Sequence, residues 1–304
     1  MIYNFPIKYE EPIFRPPSES NSVLIQVTIG CSHNKCIYCA MYKTKKYKVR
    51  SLNEIKKDIF RLSMYFRKNG NKPEKIFLCD GDALAVPFNL MMEILDFIHE
   101  YFPNLRRVGI YATAKNIIEK SVEQLILLKK KKLNIAYIGI ESGSDSVLKK
   151  IKKGNVAKDF ILAAEKLKNA GWKQSLIVML GIAGQELSLE HCNKTALVVS
   201  KMIPDYFSFL TTMPIPKTIF SKLVESGNIT LLTTKMLLKE MELILKNIKI
   251  SLPNQVIFRT NHVSNQFKIG GIIPNQLDNL LLIIKNWIIE CPNNNYPKIN
   301  SNYL

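Results

Sequence analysis

Six times between Val23 and Met213 a short apolar run is followed by an amphipathic stretch, and no other feature restricts the fold as much. The expected strands are Val23–Ile29, Lys75–Cys79, Arg106–Ala112, Asn134–Ile140, Ser175–Leu180 and Asp205–Met213. They are apolar throughout rather than alternating, as strands covered on both faces are. The stretches between them carry helix signals. Ser51 with Glu54 and Ser121 with Gln124 read as capping boxes, and Gly70 and Gly171 stand where helices should stop. The pattern predicts an α/β chain built on a mostly parallel sheet. The six segments that follow the strands read GCSHNKCIYC, DGDALAVP, TAKN, ESGSD, GIAGQE and PIPKT. Glycines and polar groups therefore collect at the carboxyl ends of the strands, where α/β proteins build their sites.

Composition removes several classes. Hydrophobic residues at 47% and charged residues at 22% exclude a disordered chain, and six cysteines are too few for a disulfide-stapled scaffold. Lys8, Glu10 and Glu11 interrupt the start where a secretory leader needs an apolar run, and Lys285 interrupts LDNLLLIIKNWII. The chain reads as cytoplasmic, with no membrane partner. Its formal charge of +18 comes from 36 lysines and seven arginines. The run Lys129–Lys132 reads as the solvated basic end of a helix, and the charge leaves RNA open as a partner.

Cys31, Cys36 and Cys39 stand as C-x4-C-x2-C in the loop after the first strand. Three thiols do not gather in a glycine-led polar loop for packing, so a metal or iron–sulfur site is expected. Three readings compete on the residues alone. Zinc could add His33 to the three thiolates; a plant-type 2Fe–2S centre has this spacing and would need a fourth ligand such as Cys79; a 4Fe–4S cluster on three cysteines would leave one iron open.

With this loop, the later turns resemble the radical S-adenosylmethionine (SAM) superfamily, over about Val23 to Thr218. Tyr38 fills the aromatic position before the last cysteine. Four residues separate Cys31 from Cys36 where the superfamily usually has three. Asp80-Gly81-Asp82 lies at the Gly-Gly-Glu-like turn that binds the methionine amino group. GIESGSDSVLKKIKKG (Gly139–Gly154) is similar to the segment of the methylthiotransferase and oxygen-independent coproporphyrinogen oxidase branch whose glutamate, here Glu141, binds the SAM ribose. VMLGIAGQE (Val178–Glu186) resembles the motif lying along the adenine, and TTMPIPKT the sixth-strand motif.

The resemblance implies a partial (β/α)6 TIM-type barrel over residues 23–218, after a lead-in of residues 1–22. An extension over 219–290 would cover the barrel, and 291–304 would be a partly disordered polar tail. It implies a 4Fe–4S cluster on Cys31, Cys36 and Cys39, with SAM contacted by Tyr38, Asp80, Gly81, Asp82, Thr113, Glu141, Ser142, Met179 and Gly181. The implied activity is reductive cleavage of SAM to a 5′-deoxyadenosyl radical that takes hydrogen from a substrate, with flavodoxin or ferredoxin as reductant. Radical modification of tRNA or rRNA is the alternative, and an iron–sulfur electron-transfer or sensor protein is the alternative of another class. No second cysteine cluster follows the barrel, and no cobalamin-binding domain is expected ahead of Val23. Cys79, Cys192 and Cys291 read as non-ligands, and His99 and His191 as helix-surface residues. In Val256–Gly271, Arg259 and His262 are expected at the barrel mouth on the substrate side, with Gly270-Gly271 as a hinge.

Overall fold

The computed structural model describes residues 6–293 and 295–297. Most of the tail expected to be disordered lies outside the described residues. The elements, in chain order, are β1 Val23–Gln26, β2 Thr28–Ile29, β3 Lys48–Val49, α1 Leu52–Lys68, β4 Lys75–Cys79, α2 Phe88–Tyr101 and β5 Arg107–Tyr111. Then come α3 Ala114–Ile118, α4 Val122–Lys130, β6 Leu133–Glu141, α5 Asp145–Lys150, α6 Ala157–Asn169, β7 Lys173–Leu180 and α7 Gly184–Met202. The remainder are β8 Tyr206–Thr211, α8 Ile219–Glu225, α9 Thr234–Asn247, β9 Val256–Arg259, β10 Gly270–Ile273 and α10 Leu277–Glu290. The sheet is mostly parallel and not closed, and its strands divide between two compact units.

The first unit comprises Met1–Asn34, Met41–Tyr137 and Lys166–Lys173. Its strands run in parallel in the order β1, β4, β5 and the first half of β6, with Val23 opposite Ile76, Leu78 opposite Ile110 and Tyr111 opposite Tyr137. The predicted first strand breaks at Val27, and β2 turns away to pair antiparallel with β3. Ser51 and Ser121 make both bonds of their capping boxes, so α1 and α4 start where the sequence placed them. Ile55, Ile59 and Leu62 from α1 and Met91, Ile94 and Ile98 from α2 are fully buried, each set at helical spacing. Side chains that alternate with the helix-covered residues form an aromatic cluster, with Phe77 edge-on to Tyr111 (5.0 Å) and Tyr137 (5.7 Å). Glu19 is buried beside this cluster, accepting from Arg107 (2.6 Å), Tyr137 and Ser22. The lysine run is not a solvated face throughout. Lys131 pairs with Asp96 and Lys132 donates to the Leu105 carbonyl, because both fall beyond the helix end, within reach of neighbouring segments.

The second unit comprises Lys35–Ala40, Ile138–Glu165 and Gln174–Leu304. Its strands run β6, β7, β8, β9, β10. Ser175 pairs with Tyr206 and Leu180 with Thr211, and β9 adds a further parallel strand to β8. The sheet thus continues past the six predicted strands, because Val256 and Phe258 are fully buried and the Phe258 ring packs on Phe207 and Phe209 of β8. Gly270 and Gly271 are not a hinge: they form β10, paired antiparallel with Arg259 and Phe258, and a Cβ on Gly270 would lie 3.1 Å from the Phe258 carbonyl oxygen. No helix among the described residues is long and apolar enough to cross a membrane.

Candidate functional site

In the first unit the site is organised by two buried aspartates flanking a glycine. Asp80 follows β4 with φ +73° and takes three donors: the Gly30 N–H (2.6 Å), Lys45 Nζ (2.9 Å) and Gln26 Nε2 (3.1 Å). Asp82 accepts from Ser32, the Thr113 N–H (3.2 Å), Thr113 Oγ1 (3.3 Å) and Asn116. Both side chains are wholly buried, and burial pushes both carboxyls up against the bonds that hold them down. Their oxygens are therefore taken up by protein donors. The half-exposed residue of the turn is Gly81. Its N–H donates to the Gly30 carbonyl (3.1 Å), and a Cβ there would lie 2.8 Å from the Cys31 Cβ and 2.7 Å from the Tyr42 ring. Glycine is required because the turn lies directly against the first cysteine. Thr113, which caps α3, is held by Asp82.

In the second unit, Cys36, Tyr38 and Cys39 sit on a segment pinned by its backbone. The Ile37 N–H donates to the Ile151 carbonyl and the Ile37 carbonyl accepts from the Phe220 N–H, both at 3.1 Å. Tyr38 Oη donates to Glu141 Oε1 at 2.9 Å, and Lys153 Nζ reaches the same oxygen at 2.7 Å. Glu141 closes β6 with φ +60°, a left-handed conformation that is costly for a side chain other than glycine. Its carboxylate folds back over Gly139, where any Cβ would meet Oε1. Burial, then the Glu141 charge, raises the Tyr38 hydroxyl far above its ordinary range, so it stays a donor.

Ser142 is fully buried, with Oγ 2.8 Å from His191 Nδ1. His191 is therefore not a helix-surface residue. It lies on the inward side of α7 with Cys192 and Thr195, and burial lowers its pKa to about 4. A histidine kept neutral in the fold and protonated near 6.5 when unfolded supplies stability above that pH and loses it as pH falls toward 4. That lowering corresponds to about 3 kcal/mol. The urea-unfolding difference between the wild type and His191→Gln should thus change by that amount between pH 7 and pH 4, and a pH-independent difference would show that the ring is solvated.

Met179 is half-exposed on β7 opposite Leu210 of β8, and Gly181 follows β7 with φ +77°. Gly181 N–H donates to Glu240 Oε2 at 2.7 Å, and Ser188 Oγ to Oε1 at 2.6 Å. His262 Nδ1 lies 2.8 Å from Ser264 Oγ, which accepts from the Thr211 N–H (3.1 Å). Asn265 bonds Thr211 Oγ1 (3.0 Å) and the Phe209 carbonyl (2.7 Å). The segment carrying His262 is thereby fastened to the carboxyl end of β8. Arg259 ends β9, exposed. His99 is half-buried on α2, 2.9 Å from the Lys131 carbonyl oxygen. Cys79 is buried in β4, its thiol pushed up by burial.

Cys31 belongs to the first unit, and Cys36 and Cys39 to the second, and each is half-exposed. Among the described residues no three His, Cys, Asp or Glu side chains are arranged to hold a metal ion. The donor chemistry nonetheless suits iron–sulfur: three soft cysteine sulfurs within nine residues of sequence. Reading the sequence missed Ser32, Lys45, Asn116, Lys153 and Glu240. Only Glu240 left a signal, an acidic residue on the apolar stripe of α9 formed by Leu237, Leu238, Met241 and Ile244.

The sequence model of the radical SAM superfamily matches residues 25–192. The heme chaperone HemW of Bacillus subtilis is 27% identical over 210 residues, covering 66% of this chain and 53% of HemW. The chain thus spans about half the length of this curated relative. Among solved structures, the radical SAM methyltransferase TsrM of Kitasatospora setae, with cobalamin and a [4Fe-4S] cluster bound, superposes with a TM-score of 0.54 at 17% identity, over 67% of this chain and 39% of TsrM. Coproporphyrinogen III oxidase (HemN) of Escherichia coli superposes with 0.53 at 15% identity, over 74% and 50%. Those likenesses are of fold. Because the family match covers more than half of the chain, cysteine loop included, the chain belongs to the radical SAM superfamily, and that membership implies a 4Fe–4S cluster and SAM.

Proposed function

We propose that this chain is an enzyme that holds a 4Fe–4S cluster on Cys31, Cys36 and Cys39 and cleaves SAM there. The observation that carries the reading is the bond from Tyr38, between two of those cysteines, to Glu141, which ties the cysteine loop to the turn expected to bind ribose. When bound, cluster and SAM supply one-electron cleavage of the sulfonium carbon–sulfur bond, ending in methionine and, after a hydrogen atom is taken from a substrate, 5′-deoxyadenosine.

The protein's part is to bind and orient. Asp80 and Asp82 hold the 80–82 turn so that the Gly81 backbone faces the methionine end. Glu141, with Oε1 occupied by Tyr38 and Lys153, offers Oε2 to the ribose hydroxyls, and the backbone around Met179 and Gly181 follows the adenosine. His262 and Arg259 serve the substrate side. A one-electron donor such as flavodoxin or ferredoxin supplies the electron.

Anaerobically reconstituted protein given SAM and dithionite should release 5′-deoxyadenosine. Glu141→Ala should keep its iron yet lose SAM affinity, by about 1.5–3 kcal/mol for a charge-assisted hydrogen bond. The relation to a heme chaperone favours a second reading, haem binding. Stoichiometric haemin uptake without 5′-deoxyadenosine would select it.

A further inference from the structure

Glu240 is 2% exposed on α9, beyond the family-matched segment, and both of its oxygens face neutral donors. A buried carboxylate without a cation is costly, and burial raises this one to about 7. Its contacts converge on one place. The Gly181 N–H is bonded at 2.7 Å, Leu237, one turn earlier on α9, would lie 2.8 Å from a Cβ at Gly181, and Ser188 is held from the following helix. Gly181 lines a cavity of about 80 Å³ together with Thr212, Pro214, Leu232, Leu237 and Tyr296. Thr212 Oγ1 is buried there with no hydrogen-bond partner among the described residues, as a group awaiting a polar ligand atom would be.

We infer that Glu240 is a positioning residue for the nucleoside end of SAM: it fixes the Gly181 turn, and with it the wall against which the adenosine lies. The inference rests on the reading proposed above, in which that turn follows the adenosine. α9 would thereby take part in cofactor binding.

The test uses reconstituted protein and three probes: SAM, 5′-methylthioadenosine for the nucleoside end, and methionine, read by its perturbation of the reduced cluster's EPR signal. Glu240→Ala should weaken SAM and 5′-methylthioadenosine by about ten- to hundredfold, the worth of one charge-assisted bond, and leave iron content and the methionine response unchanged. Glu240→Gln, whose amide oxygen still accepts from Gly181, should stay within about threefold of wild type. If the alanine variant does not fold, Glu240→Asp, which keeps the charge but falls short of Gly181, carries the same expectation. Wild-type affinity in the alanine or aspartate variant overturns the inference alone, as does a parallel loss of methionine response and iron. A wild-type protein that binds iron but not SAM overturns the underlying reading, and this inference with it.

Discussion

Cys36→Ala, reconstituted anaerobically beside the wild type, is expected to lose its cluster and with it all 5′-deoxyadenosine formation. Wild-type protein should hold about four irons and show the broad absorbance of a 4Fe–4S centre. Cys31→Ala and Cys39→Ala should behave as Cys36→Ala does, since a three-thiolate set has no spare ligand. Cys79→Ala should retain the iron, because that thiol is wholly buried within β4 and raised by burial beyond easy ionisation, whereas a ligand must be a thiolate. Iron and absorbance measured on the four variants decide the matter. Loss of iron in Cys79→Ala as complete as in Cys36→Ala would return the protein to the four-cysteine, ferredoxin-like alternative.

The second large effect concerns space rather than chemistry. Gly143 follows the Glu141–Ser142 turn and lies directly against the backbone of α7. A Cβ there would meet the Lys194 carbonyl oxygen and lie 2.6 Å from its carbon and 2.7 Å from the Thr195 Cα, while the Gly143 N–H donates to Thr195 Oγ1 at 2.9 Å. Backbone cannot rotate aside as a side chain does, so Gly143→Ala should cost about 3 kcal/mol or more, the upper range for overpacking. Gly70→Ala provides the comparison. There φ is +67° but nothing lies within 4 Å of the new Cβ, so only the left-handed penalty of about 1–2 kcal/mol applies. Urea midpoints for the two variants should separate accordingly, and equal losses would mean that α7 yields readily at this turn.

These glycines illustrate what was legible beforehand. Capping serines, apolar strands and the carboxyl-end loops are local signals, and α1, α4, β4 and β7 fall where they were expected within two residues. The C-x4-C-x2-C loop and the Gly81 and Glu141 turns were likewise marked by residue type. Partnerships made across long separations were not. His191 looked like a surface residue because its helix is only weakly amphipathic, yet its partner Ser142 lies 49 positions away. Gly270-Gly271 carried the signature of a hinge, and only the presence of β9 beside them makes a strand. Asp80 and Asp82 were marked by their type, but that protein donors would occupy both carboxylates depended on Gln26, Lys45 and Asn116, none of which any local rule selects.

Glu19 lies outside the segment by which the family is recognised, yet its carboxylate is fully buried and satisfies Arg107 and Tyr137 inside that segment. The stretch that similarity marks out is therefore not the stretch that folds by itself. A chimaera joining residues 25–192 to the flanks of a relative would leave the buried Tyr137 phenol without its acceptor and the half-buried Arg107 without its carboxylate, a loss of about 1–3 kcal/mol for the phenol alone. Exchange of such cores between family members should therefore cost least where the incoming lead-in brings an acid to the same place.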